Sequence, residues 1–484
     1  MKRLLFWLLI ISLALLAPMP APVLGEDDED GPNLQIPEDL DKKAKEYLEE
    51  GIKTYKEMKK RSENRHNEPY KLPTVRMKES DKRKKKVERL IKLFQKAAKA
   101  APKCHIPPFY LCIMYQWKSD FESGAKSWVR KGKVQGEKAM KLLDNFYEAA
   151  LELADICMRL EKYDEALKAY KDALKMSKGE LDKKHQYHMG LFNCYLRAKK
   201  WDECKKAWDG YVRTKSDIDP KMKDSIKIVF LLAKLGKWAP HNHESKNYIV
   251  HTDVSESFAK DVAEQCEIAY KMYSKVFKHK NTGDKFHVHI FASRQGFMSK
   301  TGAPSNAGGF FAGYTGALYM PRSSNAARFN NTLYHEGFHQ FLNTVTEHVP
   351  RWFNEGHACF FGPSQYFKEG GKPKMKLVVN RSRCQNIKQA LGRGMCPKLP
   401  DLLYSGQLEW SLSAERPAIY YAAAWSFVYF CWFHEGGKYK KIVQKFMSGC
   451  KKEEGGRKLV KKAFKGISMS QIQGEWYAYI KQLR

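Results

Sequence analysis

His335-Glu336-Gly337-Phe338-His339 sets two histidines four residues apart, with a glutamate directly after the first. The flanking run Asn331–Leu342 has helical periodicity. On a helix, residues four apart share a face, so both imidazoles can reach one ion. Two histidines on one helix favour zinc, and a carboxylate beside an open coordination position favours hydrolysis. Glu336 would project beside the metal, where it can hold a water. The pentapeptide alone is not diagnostic, so it needs its structural context. That context is Pro350-Arg-Trp-Phe-Asn-Glu-Gly-His-Ala358, in which fifteen residues separate His339 from Glu355. Pro350 ends the first helix, and Glu355 would open a second that returns antiparallel beneath the metal. His, His and Glu is one three-ligand set that leaves a position for water.

The two segments together resemble the gluzincin metallopeptidases. Trp352-Phe-Asn-Glu-Gly-His-Ala358 is similar to the W-x-N-E-G-x-A signature of the aminopeptidase-type and peptidase-MA-like branches. The wider stretch 246–484 resembles an uncharacterised exported bacterial branch of such proteins. The resemblance implies that His335, His339 and Glu355 bind Zn2+. It implies that Glu336 is the general base that deprotonates a water and later protonates the leaving amine. Many gluzincins add a tyrosine or histidine donor from a later helix. Tyr421, in Tyr421-x-x-Ala-Trp425, takes that place here, with Tyr420 as its rival about 100° away around the helix.

The chain also departs from these relatives. The aminopeptidase branch reads a free amine with a glutamate in Gly-x-Met-Glu-Asn. The comparable stretch Asn306–Tyr314 is Gly-rich and has no glutamate, which argues against aminopeptidase specificity. It could lead into an edge strand, Gly316–Met320, that pairs with an extended substrate, or it could form a hairpin turn.

Composition bounds the setting. Two positive charges precede a short apolar run ending near Ala17, and Val23-Leu-Gly25 offers small residues for cleavage, so residues 1–25 read as a signal peptide. The product is expected to be secreted, periplasmic or in the cell envelope. The chain has 484 residues and a net charge of +32, which favours anionic partners such as envelope polymers. Nucleic acid is not expected, because export and the lack of any recognisable binding motif argue against it. The run Lys82–Lys86 reads as a solvated helix face. Eleven cysteines leave at least one unpaired. Cys384 and Cys396 flank a basic loop and are the best disulfide candidates.

The elements that position the site read as α+β. Residues 26–45 look like a disordered acidic lead-in. Residues 46–240 are helical and include tetratricopeptide-like repeats, with Tyr163, Trp201 and Trp238 at spacings of 38 and 37. Such an array could hold a protein partner. Residues 246–484 form the gluzincin-like domain, with a small mixed sheet and the HExxH helix. Tyr248–Thr252 and Phe286–Phe291 read as strands around a long helix, Glu256–Phe277. His287 and His289 share one face of the second strand; they could bind metal, but no third ligand lies nearby. His357, two beyond Glu355, falls on the opposite side of its helix and is not expected to be a ligand. The leading expectation is a zinc metallopeptidase acting on a peptide or protein. The competing ones are a non-catalytic repeat-based binding protein and an amidase acting on an envelope polymer.

Overall fold

The computed structural model describes residues 34–63, 73–121, 126–178, 184–215, 217–236, 238–280, 283–346, 349–406, 409–410, 416–452 and 456–483. The expected signal peptide lies outside these residues. The chain divides after Asp219 into two compact units, and the fold is α+β.

The first unit is all helix: α1 Lys42–Glu63, α2 Pro73–Ala100, α3 Ile106–Phe121, α4 Lys126–Leu142, α5 Tyr147–Arg159, α6 Tyr163–Met176, α7 Lys184–Arg197 and α8 Trp201–Thr214. The lead-in is shorter than the sequence suggests. Leu34, Ile36 and Leu40 pack against the helical core, and α1 begins at Lys42. Those apolar side chains find a groove that composition cannot reveal.

The hairpins α5–α6 and α7–α8 repeat one turn. Glu161 and Lys199, 38 apart, both adopt positive φ. The following N–H groups, Lys162 and Lys200, reach back 2.9 Å to the carbonyls of Cys157 and Tyr195. This six-to-one bond closes a helix with a left-handed residue. Ala154, Ala166 and Ala173 are completely buried, so small side chains let the helices approach. Gly190 meets the Tyr170 ring so closely that a Cβ would stand 2.3 Å from it.

The second unit opens with α9 Pro220–Ala233, where the sequence suggested the helical domain would continue to 240. Ile228 and Leu232 of α9, and Trp238 after it, pack with Phe291 and Phe297 instead. Trp238 stacks on Phe291 at 4.3 Å between ring centroids. The 37-residue spacing to Trp238 therefore does not extend the helical array.

The sheet contains β1 His241–Glu244, β2 Tyr248–Thr252, β3 Phe286–Phe291, β4 Phe310–Ala312 and β5 Ala317–Pro321. Its order is β1-β2-β3-β5-β4. The β2–β3 and β3–β5 pairs are parallel and the outer pairs antiparallel. The Gly316 segment therefore feeds an inner strand. The edge on this side of the sheet is β4, because the chain turns back from Ala312 through Gly316 to pair with it; β1 is the other edge.

Tyr248, Val250, Phe286, Val288, Ile290, Leu318 and Met320 alternate onto one face of the sheet. That face packs against α10 Glu256–Phe277 and α12 Ala326–Asn343, and α11 Arg294–Thr301 lies between β3 and β4 in the chain. The remaining elements are α13 Arg351–Phe361, the hairpin β6 Gln365–Glu369 and β7 Lys372–Lys376, α14 Arg381–Gly392, α15 Leu399–Leu403, α16 Arg416–Phe433, α17 Lys440–Lys451, α18 Gly456–Ala463 and α19 Met469–Gln482.

The cysteine expectation is corrected. All eleven cysteines are free thiols. Cys384 lies in the first turn of α14 and Cys396 beyond its end. A helix rises about 1.5 Å per residue, which carries the two well beyond the Cα separation a disulfide allows. No described helix is long and apolar enough to cross a membrane.

Candidate metal centre

The HExxH residues sit in the middle of α12, where helical geometry is most regular. Asn325 caps its start by accepting the Arg328 N–H at 2.9 Å. Phe329, Leu333, Phe338 and Phe341 bury one face. Gln340 ties the helix to the sheet, donating to the carbonyls of His287 at 3.0 Å and Gly316 at 2.8 Å. The polar turn at Thr346–His348 lies partly outside the described residues. Pro350 then precedes α13, whose Trp352 and Phe353 are fully buried.

Gly356 explains why a glycine follows Glu355. A Cβ there would stand 2.7 Å from the Ala424 carbonyl oxygen and 2.8 Å from Val428. With Ala422, Ala423 and Ala424 completely buried on α16, the two helices pack in close contact, and this fixes the rotation of α13.

His335, His339 and Glu355 converge. Their facing atoms make a triangle: 3.2 Å between the two Nε2 atoms, and 3.5 Å from each to Glu355 Oε2. Ligands bound at about 2.0–2.1 Å in a tetrahedron stand roughly 3.3–3.4 Å apart. Glu355 is 2% exposed, and its Oε2 has no hydrogen-bond partner. A buried carboxylate oxygen left unpartnered is costly. The donor set and this orphaned oxygen therefore fit a small divalent cation.

The charges follow from the packing. Burial opposes a charged Glu355, yet the His339 and His335 imidazoles outweigh it and hold the carboxyl well below the usual range. Burial likewise opposes a charged His335. Contacts with Cys359 and Glu355 outweigh it and hold that imidazole well above its usual value. Burial pushes Glu336 upward, which gives its carboxylate a greater proton affinity. The Phe311 N–H of edge strand β4 donates to Glu336 Oε2 at 3.1 Å and fixes that carboxylate.

Two side chains support the triangle: Asn354, for which the sequence suggests no role, and Cys359, which its place one turn beyond Glu355 already set near the metal. Asn354 Oδ1 lies 2.8 Å from His339 Nδ1. An amide oxygen only accepts, so Nδ1 carries the proton and Nε2 presents its lone pair into the triangle. Its place before Glu355 in the second motif was the available signal. Cys359, one turn beyond Glu355, hydrogen-bonds His335. Burial raises its thiol, but the Arg383 charge and His335 bring it below the usual range.

Of the two tyrosines, Tyr421 is the one beside the site. Burial raises its hydroxyl most, and the Glu355 carboxylate raises it further. Trp410 meets its ring edge-on at 5.0 Å, and Arg383 lies 5.0 Å above the ring. Tyr420 is buried against Trp410. His357 is completely buried in the core. Its Nδ1 donates to the Phe353 carbonyl at 2.8 Å, and burial takes its pKa to about 3.

His287 and His289 fall on the sheet face opposite α12 and do not join the triangle. The third histidine beside them, His251, comes from β2. No sequence spacing could have announced it, because parallel pairing brings it across 36 residues.

Residues 330–449 are similar to a family described as a protein of unknown function, DUF1570. The match spans about a quarter of the chain and includes His335, Glu336, His339, Glu355 and Tyr421. No curated protein matches the chain.

Proposed function

We propose that residues 220–484 form a zinc-dependent hydrolase of peptide bonds, related to the gluzincins and acting outside the cytoplasm. The observation that carries this reading is the triangle of His335, His339 and Glu355 around an orphaned carboxylate oxygen. Zinc, when bound, supplies a Lewis acid that acidifies water and polarises a carbonyl. Glu336, next to His335, is the proton carrier. Its carboxylate takes a proton from the attacking water as the new C–O bond forms. It returns that proton to the amine nitrogen as the C–N bond breaks. The Phe311 N–H keeps the carboxylate aimed while it does so. The Tyr421 hydroxyl donates a hydrogen bond to the oxygen that gains charge.

The net charge of +32 supports an anionic envelope surface as the setting.

Metal analysis joined to a proteolysis assay on unfolded protein tests the reading. Glu336→Gln should keep the metal and lose hydrolysis by roughly 10²–10⁴-fold, the range of general acid–base catalysis. Undiminished hydrolysis in that variant would overturn it.

A further inference from the structure

The sheet face away from the HExxH helix carries three imidazoles. Parallel pairing sets His251 on β2 opposite His289 on β3, and His287 lies two residues before His289. Their candidate ligand atoms lie within 4.8 Å of one another. His251 and His287 are half-buried and His289 is 7% exposed, so the cluster has an open side and a closed side. The rings of His251 and His289 stack at 4.5 Å, and Tyr319 backs His289 at 4.8 Å.

The hydrogen bonds fix where the lone pairs are. Asn242 Oδ1 lies 2.5 Å from His251 Nδ1, and an amide oxygen only accepts, so His251 Nδ1 is the protonated nitrogen. Its Nε2 lone pair then faces His287 Nδ1 at 2.9 Å. An outer acceptor that fixes the tautomer and aims the other nitrogen inward is the usual support of a metal-ligating histidine. His289 Nδ1 accepts the Trp238 indole N–H at 2.9 Å. That donor now occupies the lone pair an ion would need.

Apolar residues would fill this face at lower cost than three polar rings. Three imidazoles whose ligand atoms converge suit zinc, and imidazole also suits copper and nickel.

We propose that His251, His287 and His289 form a second metal site, for an imidazole-preferring divalent ion such as zinc, gated by the Trp238 indole. The metal takes the place of the proton between His251 and His287, which moves by way of solvent from His287 Nδ1 to its Nε2 so that the ring stays neutral, and turns the indole off His289. No carboxylate belongs to the cluster, which sets it apart from the His335–His339–Glu355 triangle.

Zinc stoichiometry of the full chain, measured by equilibrium dialysis, separates the two sites. The His335→Ala/His339→Ala chain should retain one zinc, and adding His251→Ala should remove it. In the otherwise wild-type chain, His251→Ala should lower the stoichiometry by one, whatever the first site holds. Trp238→Phe keeps the ring on Phe291 but removes the competing donor. Zinc should then bind this site roughly 2- to 10-fold more tightly, the equivalent of one hydrogen bond. Stoichiometry unaffected by His251→Ala would overturn the proposal, as would unchanged affinity in Trp238→Phe. Loss of zinc only in the His335→Ala/His339→Ala chain would leave the first site standing and remove the second.

Discussion

Both units bury carboxylates, and they satisfy them differently. In the helical unit, Glu152 accepts from Gln116 at 2.5 Å, and Asp155 accepts from the Tyr170 hydroxyl. Each has a neutral donor within its own helical stack. In the mixed unit, Glu355 is as deeply buried, yet no neutral donor of the chain meets its Oε2, which faces two imidazole nitrogens instead. Buried polar groups that the chain itself satisfies serve the fold. A buried group left without a partner points to something the chain must acquire.

Metal removal should break this contrast most strongly. A bound ion stabilises by mass action, about 4 kcal/mol when free metal stands a thousandfold above Kd. Chelation should therefore lower the unfolding temperature of residues 220–484 and leave that of residues 34–219 unchanged. Glu355→Ala should remove the share of the effect that belongs to the triangle. Equal losses in both units would dissolve the distinction.

Acid titration sharpens it from the other side. Burial raises Asp155 from 3.8 to about 6, with Tyr170 and Arg159 opposing. A carboxyl with a raised folded pKa contributes stability below its unfolded pKa and loses it as pH rises through the folded one. The helical unit should thus lose about 3 kcal/mol between roughly pH 4 and pH 6. Asp155→Asn should abolish that slope and make the unit more stable at pH 7. A slope that persists in the variant would assign the effect elsewhere.

The smallest change concerns the outer support of the triangle. Asn354→Ala leaves all three ligands but frees the His339 ring, and metal affinity should fall about 10- to 100-fold. Metal-competition titration measures this. An unaltered affinity would mean that packing alone orients His339.

Much of the site could be read in advance because it is built from two local patterns. A four-residue spacing on a helix needs little tertiary knowledge; Glu355, expected to open the next helix, lies one turn inside it, because α13 already begins at Arg351. Asn354 was visible within the second pattern but not its role, since its partner His339 is fifteen residues back. The disulfide expectation failed because a helix holds Cys384 and Cys396 apart along its axis. Of the two readings of the Gly-rich stretch, the hairpin turn is the one found: β4 turns back through Gly316 onto β5, which leaves Gly316–Met320 inside the sheet rather than at its edge.

The sequence by itself determined the helix faces, the two histidines on one face, and the 38-residue repeat spacing. These depend on backbone periodicity and on residues close in the chain. Only the tertiary structure decided which strand is the edge, that α9 and Trp238 belong to the sheet, and that His251 joins His287 and His289. Those outcomes depend on which apolar faces bury each other and on pairing between distant strands. Short-range patterns do not carry that information, because the free energy that selects it comes from packing across the whole unit.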